Sequence, residues 1–358
     1  MRIVVNDIAA SEGGALTILE SLSNYIRSCD HVNEWIFLLG GDLIPEDTNI
    51  RVRVFPKVKG SWLHRLTFDF IVGRREIAAL NPDVVLSLQN TLVSGVACPQ
   101  VVYVHQPIPF QTTKKFSFVR RGERLLAVYQ HIIGRVIKKS VSQASHVIVQ
   151  TEWMRDAILD QVAIDPERID SILPDLEDLA AYRYRGGVNP KRFFYPTADL
   201  VYKNNALVEQ ACRLLEGCGV SDFEVAITLA GSHVPHIFAI GRVPREDVLE
   251  RLSQSTLIFP SLIETYGLPL AEARALGSIV LAADLPYARE VLEGYNNAYF
   301  FDPYSPNELA ALMREVMLGK ISRSPAKSSP DTATTRIPAW ANVLDVLTTA
   351  TGVGSPNQ

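Results

Sequence analysis

The chain has 358 residues, 47% of them hydrophobic, which is more than one core ordinarily holds and enough to fill two. Its 35 Lys and Arg against 39 Asp and Glu give a net charge of −4, which leaves no bulk positive charge for a nucleic-acid partner. Cys29, Cys98, Cys212 and Cys218 lack metal-ligand spacing, the start MRIVVNDIAA reads as a strand rather than a signal peptide, and no apolar run approaches the roughly 20 residues that span a bilayer. A reducing cytoplasm is expected, with any membrane contact peripheral, on the inner face of the plasma membrane.

The predicted elements alternate between strand and helix. In the first half, strands read RIVV (2 to 5), WIFLL (35 to 39), VRVF (52 to 55), DVVLSL (83 to 88), QVVYVH (100 to 105) and HVIVQT (146 to 151), with helical periods between most of them. Pro174, Gly186, Gly187 and Pro190 then interrupt the periodicity. A second series follows with RFFYP (192 to 196), EVAITLAG (224 to 231), IFAIG (237 to 241), TLIFP (256 to 260), SIVLAA (278 to 283) and AYFF (298 to 301). Such repetition predicts parallel sheets with right-handed crossovers, hence two Rossmann-like α/β domains. The expected divisions are an N-terminal domain over 1–173, a linker over 174–191, a C-terminal domain over 192–337, and a final helix and tail over 338–358. Residues 320 to 336, rich in Ser, Thr and Pro, read as a loose loop ahead of that helix.

Charge is distributed unevenly along the chain. Residues 1 to 151 carry 17 basic and 12 acidic side chains, or +5, while residues 152 to 358 carry 18 and 27, or −9. The excess in the first half lies from Arg51 to Lys139, with 15 basic residues against four acidic ones, and includes the tract 114 to 139, where Lys114, Lys115, Arg120, Arg121 and Arg124 precede Arg135, Lys138 and Lys139. Mixed helical spacing suits a helix resting on anionic lipid or reaching a lipid diphosphate, although a solvated charged face has the same pattern. Trp62, Leu63, Leu66, Phe68 and Phe70 fit either an apolar membrane contact or a core.

The stretch FPSLIETYGLPLAEARALG (259 to 277) carries the most chemistry. An apolar strand runs into a turn bearing Glu264, Gly267 permits close backbone approach, Pro269 suits a helix start, and Glu272 falls about one turn into the helix. The amides and positive dipole end of such a helix bind an anion, most naturally a diphosphate, and carboxylates beside it take sugar hydroxyls. Acidic residues near a helix start also favour the dipole with no ligand at all.

This stretch resembles the E-x7-E motif of family 4 retaining glycosyltransferases. VVYVHQPIPF (101 to 110), SHVIVQTEWMRDAI (145 to 158), YKNNALVEQACRLL (202 to 215) and the segment 285 to 317 are similar to the family's segments in the same order. The resemblance implies a GT-B fold, two facing Rossmann-like domains with a cleft between them and a C-terminal helix crossing back, which WANVLDVLTTA (340 to 350) would form. It further implies retaining, metal-independent transfer of a sugar from a nucleotide-diphosphate sugar, a co-substrate rather than a bound cofactor. The acceptor would be a glycan or lipid-linked glycan in bacterial O-antigen, capsule or exopolysaccharide synthesis.

By the same resemblance Lys203 meets the diphosphate, Glu272 the nucleotide ribose and Glu264 the donor sugar, with the amides of Tyr266, Gly267 and Leu268 as companions. His105 matches a family histidine near the reacting sugar. Gly13 and Gly14 occupy a loop that borders the cleft. The chain departs from the family in FFYPTADLVYKN, which lacks the Arg that often precedes the phosphate-binding Lys; Thr197 or backbone amides are expected to compensate. No G-x-G-x-x-G follows any strand and no Asp-x-Asp occurs, which argues against a dinucleotide oxidoreductase and a metal-dependent transferase of the other major fold. A degenerate subunit that binds donor or partner without turnover is the alternative.

Overall fold

The computed structural model describes residues 1–10, 14–56, 58, 64, 67–176, 178–182, 189–324 and 338–352. Gly13, Trp62, Leu63 and Leu66 lie outside them. The chain divides into two compact units. Unit 1 comprises Met1–Phe110, Val128–Pro174 and Arg336–Gln358; unit 2 comprises Gln111–Ala127 and Asp175–Thr335. Residues 111–127, expected from the sequence in the N-terminal domain, thus cluster with unit 2.

Unit 1 holds a parallel sheet of seven strands in the order β3-β2-β1-β4-β5-β6-β7. These are β1 (Arg2–Asp7), β2 (Glu34–Leu39), β3 (Ile50–Val54), β4 (Val84–Ser87), β5 (Gln100–Val104), β6 (His146–Val149) and β7 (Ile169–Ser171). Helix α1 (Gly14–Cys29) follows β1, and α2 (Gly73–Leu80) continues from a π-helical turn at Phe68–Val72. Near-continuous apolar runs such as VVLS and QVVYV are what a strand covered on both faces requires. Ile3 and Val5 of β1 face one core with Leu19 and Ile26 of α1, while Val4 faces another with Phe68 and Ile77. Phe68 is therefore core, whereas Phe70 is exposed.

Beyond α3 (Arg124–Val128), a π-helical turn at Tyr129–Ile133 leads into α4 (Gly134–Gln143), and α5 (Glu152–Leu159) links β6 to β7. The basic tract is thus not one helix, because Lys114 through Arg121 precede α3 in irregular backbone. The reason is local. Glu123 is buried, accepts from the Ser117 amide at 3.0 Å and sits 3.3 Å from the Lys114 ammonium, while Gly122 at φ 87° turns the chain.

Unit 2 holds a six-stranded parallel sheet, β10-β9-β8-β11-β12-β13. Its strands are β8 (Arg192–Tyr195), β9 (Glu224–Ile227), β10 (Ile237–Ala239), β11 (Thr256–Phe259), β12 (Val280–Ala283) and β13 (Ala298–Phe301). Between and after them run α6 (Asn205–Gly217), α7 (Arg245–Gln254), α8 (Leu268–Leu276), α9 (Pro286–Val291) and α10 (Pro306–Met317). Phe193, Leu257, Leu281, Leu252 and Met313 are among its core residues.

The last helix, α11 (Ala339–Ala350), belongs to unit 1 and packs against β4, β5 and β6. Its residues Trp340, Val343 and Leu347 join the core that includes Leu19 and Tyr103. Trp340 stacks on Tyr103 with ring centroids 6.0 Å apart, and its indole N–H donates to Ser21 Oγ at 2.9 Å. At about 1.5–3 kcal/mol for each fully buried large apolar side chain, these three residues contribute roughly 5–9 kcal/mol to unit 1.

Candidate functional site

In each sheet the strand order reverses direction once, between β1 and β4 in unit 1 and between β8 and β11 in unit 2. A doubly wound sheet opens there, so the loops after those strands diverge and leave a place for a ligand at the carboxyl edge. In unit 2 those loops are 196–204 and 260–267. They carry Thr197, Lys203, Glu264 and Gly267.

The two loops are joined by a set of hydrogen bonds. Lys203 Nζ lies 2.5 Å from Glu264 Oε1. The Leu262 amide donates to Tyr202 O at 2.7 Å, and Asn204 Nδ2 donates to Pro260 O at 3.2 Å and to Pro303 O at 2.8 Å. Below them, Tyr195 Oη donates to Lys203 O and Tyr287 Oη to Ser261 O, each at 2.5 Å. Burial first, and then the Glu264 charge, push the Tyr202 phenol up to about 12. Burial likewise drives Tyr195 and Tyr287 far above the ordinary phenol value, so all three remain neutral at physiological pH. Glu264 is thus ringed by neutral phenols, and its charge is met by Lys203. The side chains of that pair are only 19% and 16% exposed, so the attraction is poorly screened.

Gly267 stands at φ 76° immediately before α8, and a Cβ there would come within 3.2 Å of Leu270 Cδ1. Only glycine takes that conformation without strain. It turns the chain at the carboxyl edge of the sheet; in the first turn of α8, Pro269 carries no N–H and the Leu270 amide donates to Gly267 O at 2.8 Å, so the Leu268 amide is the first-turn donor that stands ahead of the helical ladder. One turn further, Glu272 is 1% exposed, and Arg245 Nη2 at the start of α7 lies 2.5 Å from its Oε1. Sequence reasoning passed over Arg245. In VPREDV it reads as a charged helix start, and its partner is 27 residues away.

Thr197 is held by the loop after β9 and by the start of α6. Its amide donates to Thr228 Oγ1 at 2.7 Å and its hydroxyl to Asn205 Oδ1 at 2.8 Å. Arg192 pairs with Glu224 at 2.9 Å, away from the Lys203 loop.

In unit 1, His105 follows β5, and its amide donates to Asn90 Oδ1 at 2.8 Å. Asn90 Nδ2 and His105 Nε2 are 3.4 Å apart, and Asn90 reaches both through a left-handed backbone at φ 66°. Gly14 opens α1. Of the five basic residues singled out in the sequence, Lys114 turns to Glu123, while Lys115, Arg120, Arg121 and Arg124 are exposed. Beside them stand Phe118, Val119 at 81% exposure, and Leu125. Among the described residues no three His, Cys, Asp or Glu side chains gather as a metal site would need, and no helix is long and apolar enough to cross a membrane.

Comparison with known proteins agrees with this fold. Residues 12–174 match the family described as Glycosyltransferase Family 4, and residues 218–329 match Glycosyl transferases group 1. No curated protein matches the sequence. Among solved structures, Anabaena Alr3699/HepE in complex with UDP-glucose superposes with a TM-score of 0.68 at 16% identity, over 99% of this chain and all of that one. The lipopolysaccharide outer core galactosyltransferase WaaB, in its apo form, gives 0.59 at 14% identity over 90% and 92%. Sucrose-phosphate synthase from Thermosynechococcus elongatus gives 0.65 at 13% identity over 88% and 90%. The chain is therefore a protein of the GT-B fold class, built from a family 4-like glycosyltransferase domain followed by a group 1 glycosyltransferase domain.

Proposed function

We propose that this protein transfers a sugar, with retention, from a nucleotide-diphosphate sugar to a hydroxyl of a glycan acceptor. The observation that carries the reading is the switch-point site of unit 2, where Lys203 pairs with Glu264 across the two loops and the second loop leads through Gly267 into α8, which carries the buried Glu272. Lys203 and the α8 amides neutralise the diphosphate, Glu272 accepts the ribose hydroxyls, and Glu264 holds hydroxyls of the donor sugar. The amides of Tyr266, Gly267 and Leu268, where the chain enters α8, direct partial positive charge at the leaving group as it departs.

In the step itself, the bond from the sugar's anomeric carbon to the diphosphate oxygen breaks. The acceptor oxygen forms its bond on the same face, and the acceptor proton passes to the departing phosphate. No protein nucleophile is needed on that route, and His105 is assigned beside the reacting sugar. Because the positive charge comes from Lys203 and a helix end, the reading calls for no metal. The exposed Phe118, Val119 and Leu125 beside Arg120, Arg121 and Arg124 support a lipid-linked acceptor at an anionic surface, as in surface-polysaccharide assembly.

A thermal-shift series in EDTA with UDP, GDP, dTDP, ADP and CMP tests the reading. One nucleotide is expected to raise the wild-type midpoint selectively, with about 2.7 kcal/mol of stabilisation at a hundredfold excess over Kd. Glu272→Ala should abolish the rise. A wild type indifferent to every nucleotide would sink the donor site.

A further inference from the structure

Arg245 occupies the first position of α7, where the helix dipole disfavours a cation. The two residues after it, Glu246 and Asp247, are of the type that such a start favours. The guanidinium is held there by a specific partner, since its Nη2 lies 2.5 Å from Oε1 of Glu272 on the neighbouring helix α8. The two side chains differ sharply in exposure, 40% for Arg245 and 1% for Glu272. A carboxylate buried that deeply stays ionised only with a charged or strongly donating partner.

We propose that Arg245 is a positioning residue of the nucleotide site. It keeps Glu272 ionised and fixes the carboxylate plane, so that Glu272 accepts both vicinal hydroxyls of the donor ribose. Through that carboxylate the site distinguishes a ribonucleotide from one lacking the hydroxyls. The chemistry is that of an acceptor-only group, since a protonated carboxyl would present an O–H of its own and lose one acceptance. The guanidinium, with several donors in a rigid plane, holds orientation as well as charge. This inference rests on the donor reading of the unit 2 site and adds a residue to it that lies outside both the E-x7-E spacing and the Lys203 loop.

Calorimetric titration of the full-length protein with UDP, GDP and ADP, then with the 2′,3′-dideoxy form of whichever binds, tests it. The wild type is expected to prefer the ribonucleotide by about tenfold or more, the range of hydrogen bonds to a charged group. Arg245→Ala should erase that preference by weakening the ribonucleotide while leaving the dideoxy form unchanged. In turnover, the donor KM should rise while kcat changes by less than about threefold, as for a contact made equally in ground and transition states. Arg245→Gln, which keeps hydrogen bonding without charge, should behave as the Ala variant does and serves if the latter does not fold. A variant that retains the wild-type preference, or that weakens both nucleotides alike, overturns the inference and leaves the donor site standing. A wild type that binds none of the three nucleotides overturns both.

Discussion

At the scale of single residues, the unit 2 site is a set of side chains whose charges are met before any ligand arrives. Lys203 meets Glu264, Arg245 meets Glu272, and neutral tyrosines hold the loops from beneath. Gly267 is the backbone counterpart of those contacts. Gly267→Ala forces an L-residue into the left-handed region, at about 1–2 kcal/mol, and presses a methyl against Leu270. The expected outcome is a modest fall in Tm with a disproportionate loss of nucleotide affinity, because the first amides of α8 are re-aimed; parallel thermal melts and titrations check it. Much of this was legible in the sequence. Strand, turn, glycine and helix follow one another in FPSLIETYGLPLAEA, and each residue acts on its immediate neighbours. Arg245 was not legible, because an ion pair between two helices leaves no local signal in either.

Among elements, the segment 111–127 behaves least as its sequence suggests. Its basic residues have helical spacing, yet the buried Glu123 carboxylate gathers the Ser117 amide and the Lys114 ammonium into a loop. Burial pushes that carboxyl up, but the Ser117 amide and the Lys114 and Arg120 charges outweigh it and hold it below the ordinary Glu value. A depressed folded-state value means that the stabilisation is complete above the unfolded pKa, near 4.3, and is lost as pH falls through the lower folded one. Hydrogen exchange across 111–127 should therefore accelerate as pH drops below about 4 relative to the intrinsic rate, and Glu123→Gln should show the faster exchange at neutral pH. A pH-independent protection ratio would contradict the argument. Strand β7 also escaped the sequence reading. With three residues, IDS, and one inward apolar side chain, it carries too little pattern and owes its place to pairing with β6.

For the whole molecule, the division into units cuts across chain order. Unit 1 contains α11, whose Trp340, Val343 and Leu347 complete the core under β1, β4 and β5. Trp340→Ala should cost about 3–5 kcal/mol, and the loss should appear in one of two calorimetric transitions, that of unit 1, with the other unmoved. A single transition shifted as a whole would refute independent cores. The strand alternation exposed both sheets in the sequence because each strand's hydrophobic run records its own burial. The return of α11 rested on family resemblance, since a helix's apolar face does not say which core it covers.

The same connectivity bears on synthesis. As the chain leaves the ribosome, residues 1–174 emerge first, but the helix that closes their core is encoded after Thr335, the last residue of unit 2. The half translated second can therefore finish folding before the half translated first, which must wait with the apolar surface around Leu19, Val84 and Tyr103 uncovered until residues near 350 are released. A nascent protein built in this order places its longest exposure to chaperones on its amino-terminal half.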